Sequence, residues 1–269
     1  FYLPFKQDYT VEGFSTVTWK GNGSDGHYIG GTGFKPSLSW MKERSSTSEH
    51  RLFDRVRGES RRIVSNSTSA EAYDASNLQT FANDGFTLGN SGSVNASSDT
   101  YVAWNWDMGA DTPTGFGCVT WTGSTNYSRD IGGFNFDPDL VWIKSRSDAY
   151  EFLHFDTLRG AGERLMSHNT NAESTNTSTL NKFIPDGFTL GSGSGVDLSV
   201  NGNTSKTYVA WGWDMGNTTA TNTTGTITST VRANPTYGQS IVSWTGNSQA
   251  NASIGHGLSS APDLVITKS

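Results

Sequence analysis

Eight acidic residues recur in this chain as four pairs: Asp54 with Asp156, Glu71 with Glu173, Asp84 with Asp186, and Asp107 with Asp214. Two carboxylates flanking a sugar linkage are what glycoside hydrolysis needs, one to give a proton and the other to act as base or nucleophile. Their surroundings favour structural duty. Asp84 and Asp186 each precede Gly-Phe, as turn residues do, and Asp107 and Asp214 close alternating segments that read as strands. Asp54 and Arg57, repeated as Asp156 and Arg159, stand three residues apart just before Gly58 and Gly160. At that spacing an Asp and an Arg can clamp a turn through a charge-assisted hydrogen bond. The alternative for the same carboxylate is to receive a sugar hydroxyl, and the clamp is the preferred reading.

Recurrence also tests the other reactive side chains, because a site belonging to a repeated unit should appear in both copies. The histidines fail: His27, His50, His154, His168 and His256 occupy different columns, and the counterpart of His154 is Leu52. A repeated His-based catalytic or metal site is not expected. No serine sits in a Gly-x-Ser-x-Gly elbow. Cys118 is the single cysteine, so neither an intrachain disulfide nor a cysteine metal site can form. Asn-x-Ser/Thr triplets at Asn66, Asn95, Asn126, Asn217 and Asn222 are glycan acceptors only in a secreted protein whose host has the machinery. No catalytic residue, cofactor site or metal site is assigned.

The elements that position these residues form a repeat. Thr100 to Gly109, TYVAWNWDMG, returns at Thr207 to Gly216 with one change, Asn105 to Gly212. Alternation puts Val102, Trp104, Trp106 and Met108 on one face and Tyr101, Ala103, Asn105 and Asp107 on the other, the pattern of a strand. The tryptophan face is the expected core. GFSTVTWKG from Gly13 matches GFGCVTWTG from Gly115, Gly-rich turns before Pro36 and Pro138 lead into SLSWMK and DLVWIK, and DGFTLG stands at Asp84 and Asp186. The two copies differ in the polar stretch between Gly89 and Thr100, which is five residues longer between Gly191 and Thr207. It reads as a surface hairpin loop.

This divides the chain into an apolar lead-in (1–12), a first repeat (13–109), a second (115–216) after a short joint at 110–114, and a Thr/Asn-rich linker (217–238). Within that linker TITSTV could instead form an added strand. A third copy opens at Gln239: SIVSWTG with Trp244 resembles the first strand, and PDLVITK with Pro262 and Leu264 the second. It stops at the position of Lys42 and Lys144. The half unit is expected to be completed beyond Ser269, by the lead-in or by a neighbouring chain, and a first residue other than Met reads as a processed piece. Abundant Gly, Ser, Thr and Asn without helix-forming runs points to an all-β fold of tandem β-sandwich (jelly-roll-like) repeats, two full and a truncated third.

A net charge of −6 without a basic stripe argues against nucleic acid as a partner. No apolar run approaches the ~20 residues of a membrane-spanning helix, so no membrane insertion is expected. Trp and Tyr faces often bind sugars. Trp19, Trp40, Trp104 and Trp106, repeated as Trp121, Trp142, Trp211 and Trp213, are instead assigned to the core, whereas Tyr28, Tyr73, Tyr127 and Tyr150 do not recur in step and suit a variable outer surface.

Taken together, the motifs at Gly115 to Gly123, Pro138 to Lys144, Phe53 to Gly58, Asp84 to Gly89 and Thr100 to Trp106 resemble repeat modules in virion structural proteins of marine tailed bacteriophages. The resemblance covers nearly everything after residue 12. It implies a non-enzymatic component of an extracellular virion, a tail fibre, appendage or adhesin arm, with other copies of itself and other virion proteins as partners and host-surface polysaccharide as a ligand. Two other readings are a purely architectural filament or capsid-decorating subunit, and the carbohydrate-binding module of a depolymerase.

Overall fold

Period-two alternation and turn residues set the strands. The computed structural model describes residues 13–109, 114–191 and 195–269. The lead-in and most of the 110–114 joint lie outside them. The first unit holds β1 (Phe14–Lys20), β2 (His27–Gly30), β3 (Leu38–Glu43), β4 (Arg51–Asp54), β5 (Arg61–Val64), β6 (Ala72–Tyr73), β7 (Leu78–Ala82), β8 (Gly85–Leu88), a helical turn α1 (Gly92–Asn95) and β9 (Thr100–Trp106). The second repeats the strands as β10 (Phe116–Thr122), β11 (Arg129–Gly132), β12 (Leu140–Ser145), β13 (Phe152–Asp156), β14 (Glu163–Met166), β15 (Ser174–Thr175), β16 (Leu180–Ile184), β17 (Gly187–Leu190) and β18 (Thr207–Trp213).

Each unit is a sandwich of a six-stranded and a three-stranded sheet. The orders are β1-β9-β3-β4-β5-β6 over β2-β8-β7, and β10-β18-β12-β13-β14-β15 over β11-β17-β16. All named strand pairs are antiparallel. The same topology in both copies follows from the same motifs: TYVAW-x-W lies between the first and third strands of its own unit, pairing with β1 and β3 as β9 and with β10 and β12 as β18. The fold is thus all-β, with tandem sandwich repeats.

The burial of the two faces differs from the sequence expectation. Inside the first sandwich lie Val17, Trp19, Met41, Phe53, Phe86, Tyr101 and Ala103, the lighter face of the repeated strand. Val119, Trp121, Val141, Phe155, Phe188, Tyr208 and Ala210 are their counterparts in the second. The heavier face packs elsewhere. Leu38, Leu52, Ile63 and Trp106 of the first unit join Phe116, Trp142, Phe152, Trp211 and Trp213 of the second in one cluster, with Trp40 and Trp104 half-buried beside it. The two six-stranded sheets therefore meet back to back through their indoles, giving four layers. Alternation separates the faces of a strand, but both faces here are covered, and each by a different partner.

Two loop readings also change. The polar stretch after Gly89 is not a free surface hairpin: Val94 and Asn95 are buried, and the Trp19 indole donates to the Val94 carbonyl at 3.0 Å. Trp121 repeats this with Val200 at 3.0 Å, so the longer loop also tucks in; residues 192–194 lie outside the described residues. In the 217–238 segment the added-strand alternative replaces the linker: β19 (Thr219–Asn222) and β20 (Ser229–Asn234), the latter overlapping TITSTV, form a three-stranded sheet with β21 (Gln239–Trp244). The second strand expected for the third copy, 262–268, carries no ladder.

Candidate functional site

The recurrent Asp-x-x-Arg-Gly motif builds the most developed polar site. β4 ends at Asp54, and the chain reverses through Gly58, whose φ of +96° suits a residue without a side chain. One Asp54 carboxylate oxygen accepts the Arg57 backbone N–H at 2.8 Å and the other accepts Arg57 Nε–H at 2.6 Å. The guanidinium also donates to the carbonyls of Leu52 at 3.1 Å and Arg61 at 3.0 Å, and to Glu71 at 3.0 Å. Both Asp54 and Arg57 side chains are fully buried. Burial works against the Arg57 charge, but the carboxylates of Asp54 and Glu71 outweigh it and hold the guanidinium protonated.

The second unit repeats the clamp: Arg159 donates its backbone N–H at 2.8 Å and Nε–H at 2.5 Å to Asp156, and a further N–H to Glu173 at 2.6 Å. Asp54, Arg57, Asp156 and Arg159 are placed as turn clamps by this geometry. The two clamps differ in surroundings. Trp211 of the second unit donates its indole N–H to Asp54 at 3.1 Å, and Arg57 lies 5.4 Å from the Trp211 ring centroid. Glu71 receives a two-pronged bond from Arg146 of the second unit, 2.9 Å on each oxygen. Burial raises the Glu71 pKa, and the bonds and charges of Arg146 and Arg57 more than reverse it, keeping a carboxylate. Glu173, the counterpart of Glu71, pairs with Arg159 and has a side chain 42% exposed.

The first clamp belongs to a joint between units. Trp40 meets its counterpart Trp142 at 5.8 Å between ring centroids, and Trp106 meets Trp213 at 5.9 Å. Ser167 donates its hydroxyl to the carbonyl of its counterpart Ser65 at 2.5 Å. Equivalent residues facing one another are the mark of a two-fold, self-complementary contact, here inside one chain. The symmetry breaks at Glu71 and Trp211, where one edge is cross-linked.

The remaining groups are engaged in the same manner. Asp84 accepts the backbone N–H groups of Gly31 and Gly33 at 3.1 and 2.6 Å, and Asp186 those of Gly133 and Asn135 at 2.9 and 2.5 Å. Each staples the turn before the third strand of its unit. Asp107 accepts from Ser37 at 3.2 Å and Asp214 from the Gly216 N–H at 2.7 Å. Burial pushes the Cys118 thiol pKa well up, leaving it un-ionised and a poor nucleophile. No group of three His, Cys, Asp or Glu able to hold a metal occurs among the described residues. No described helix is long and apolar enough to cross a membrane. Tyr28, Tyr73 and Tyr127 are exposed and Tyr150 half-buried.

Sequence reasoning missed Arg146 and Asp139. Asp139 accepts the Met215 N–H at 2.9 Å and pairs with Arg232 of β20 at 2.8 Å, tying the third segment to the second unit. Its counterpart is Ser37, so the signal was a column in which the copies differ. Such differences mark what a unit does with its neighbours.

No curated protein and no solved structure matches the chain. One family model does, twice, over residues 10–115 and 111–269, the second match running from the second unit through the three-stranded sheet. The chain belongs to the family described as a domain of unknown function (DUF7483).

Proposed function

We propose that this chain is a non-enzymatic structural component of a bacteriophage particle, an arm of a tail fibre or appendage that spaces and presents a surface for host glycans. The observation that carries the mechanical half is the back-to-back joint: Trp40 on Trp142 and Trp106 on Trp213. The recurrent aromatics and acids are used in joining and bracing modules. A self-complementary joint closes on two units, so it braces the pair as one four-layer block. The motif resemblance supports the virion setting, and exposed Tyr28, Tyr73 and Tyr127 offer ring faces for sugars. Assembly into homo-oligomers would multiply weak sugar contacts into avidity.

Two measurements test this. Antibody labelling of intact particles, imaged by electron microscopy, should place the chain on an appendage. A glycan array should show binding that Tyr28→Ala with Tyr127→Ala reduces at unchanged melting temperature. A blank array with the label on the particle would favour the purely architectural reading. Release of reducing sugar from a bound polysaccharide would overturn the non-enzymatic one.

A further inference from the structure

Arg51 and Arg62 are charges without partners. Arg51 stands opposite Val64 across the β4–β5 ladder and Arg62 lies two residues before Val64, so the two side chains leave the same face of the sheet from adjacent strands. Both residues are half-buried. Nε and Nη1 of Arg51 and Nε of Arg62 are buried without a hydrogen-bond partner among the described residues. Arg55 and Arg232 also leave Nε unbonded, but each sets another guanidinium nitrogen against a carboxylate, that of Asp107 or Asp139. Burial and then the charge of Arg62 lower the Arg51 pKa, and Glu49 and Asp74 offset this only in part. The Asp74 carboxylate is already engaged, by the Ser76 N–H at 3.0 Å and the Asn77 amide at 2.5 Å.

The second unit shows what this place requires. Leu153, fully buried, stands where Arg51 does, so a single guanidinium remains, and it is provided for. Arg164, the counterpart of Arg62, donates Nε–H to the Ser174 hydroxyl at 3.0 Å and sets Nη1 3.9 Å from Asp197. The first unit has neither partner. Ala72, opposite Arg62 on β6, replaces Ser174. Ser91 replaces Asp197: each donates its backbone N–H to an equivalent carbonyl, Ser76 or Ser178, and the Ser91 hydroxyl is spent on Ser93 at 2.9 Å. Three columns thus change together, adding a positive charge while removing the carboxylate and the hydroxyl that would answer it.

We propose that Arg51 and Arg62 form an oxyanion site of the first unit, whose ligand is a sulfate or phosphate group. Buried donors are ordinarily satisfied, and those that are not call for a ligand or an ion. Each guanidinium fork presents parallel N–H donors that match the oxygens of such a group, and an anion held between the two relieves their mutual repulsion. The β4–β5 ladder fixes both stems, so little ordering is needed on binding. With both residues half-buried, the site is reachable from solvent. It does not depend on the particle or glycan readings: a free ion and a group esterified to a saccharide meet the same donors, and the test separates them.

The test uses the 269-residue protein and isothermal titration calorimetry with sodium sulfate, sodium phosphate, glucose 6-sulfate and glucose 6-phosphate, at an ionic strength held constant with sodium chloride. Saturable binding at millimolar concentration or below is expected. Binding of the inorganic ions alone assigns a free ion as the ligand, and binding of the esters assigns a pendant group. Arg51→Leu, which installs the second unit's residue, should abolish the binding with an unchanged circular dichroism spectrum, and Arg62→Ala should weaken it at least about tenfold. Arg51→Lys, with the charge but not the fork, should bind more weakly than the parent. Melting temperature gives a second readout. Sulfate stabilises proteins generally by exclusion from their surface, so the gain due to the site is the part that Arg51→Leu loses. Heats that fail to saturate with every anion, or equal affinity in Arg51→Leu, would each overturn the proposal. So would a lower melting temperature of Arg51→Leu in chloride alone, which would show that the fold already satisfies the guanidinium.

Discussion

Trp142 and Trp213 of the second unit lie 4.6 Å apart between ring centroids, and each also touches its own counterpart in the first unit, Trp40 and Trp106. The repeated indoles are thus a joint between modules. Removing one should act on two units at once.

Trp213→Ala is expected to cost ~3–5 kcal/mol, the usual range for emptying a buried indole site. Its neighbours Trp106, Phe116 and Trp142 sit on both sides of the joint. Urea unfolding followed by fluorescence and circular dichroism should therefore show a loss of stability and a split into two transitions. A loss below about 1 kcal/mol with one transition retained would mean that the joint does not couple the units.

The two clamps give a paired comparison. Asp54→Ala leaves a fully buried guanidinium to Glu71, which Arg146 shares, and takes the acceptor from the Trp211 N–H, and breaking such a buried pair costs ~3–5 kcal/mol. Asp156→Ala leaves Arg159, whose side chain is 16% exposed, with water and Glu173 as substitutes, so its loss should be smaller. Thermal melts of the two variants would decide this. Equal losses would show that burial and the Trp211 bond contribute nothing.

The topology was legible because the motifs recur in order, and two copies of one strand set must fold alike. The turn duty of the Asp54–Arg57 pair was legible for a local reason, since the two stand three residues apart; the staples made by Asp84 and Asp186 reach turns 51 to 53 residues away. The joint was not legible. Period two sorts Trp104 from Tyr101 but is silent on which of two apolar faces lies inside its own sandwich and which is buried against a neighbour. Arg146 to Glu71 and Asp139 to Arg232 span units, and no local pattern encodes contacts at such separations.

His154 ties the stability of the second unit to pH. Its Nε2 is buried without a partner, and burial, aided by the charge of Arg159, lowers its pKa to about 3. An unfolded histidine titrates near ~6.5, so between these values the unfolded chain binds more protons. Stability therefore falls as pH drops from ~6.5 toward 3, with a slope from this group approaching ~1.4 kcal/mol per pH unit. His154→Leu copies Leu52 of the first unit and should flatten the slope. Urea midpoints from pH 7 to 4 check it, and an unaltered slope would remove His154 as the cause.

The single change between the two ten-residue strands is explained by what faces it. Asn105 accepts the Ser39 hydroxyl at 2.7 Å inside the first sandwich. In the second, Gly212 replaces Asn105, Val141 replaces Ser39, and Phe134 replaces Thr32. A side chain at Gly212 would begin 2.6 Å from the Phe134 ring, and one at Gly117 2.9 Å from it. The ring occupies the space that polar side chains fill in the first unit. Gly212→Asn alone should cost at least the ~1–3 kcal/mol of an overpacked core, and more if its amide finds no partner. Combined with Phe134→Thr and Val141→Ser, which restore the first unit's set, the cost should shrink. Contacting residues typically couple by ~0.5–3 kcal/mol. A thermodynamic cycle across Gly212→Asn and Phe134→Thr measures that coupling. Additive losses would mean that the two sandwiches tolerate either filling, and that the copies differ here without packing as the reason.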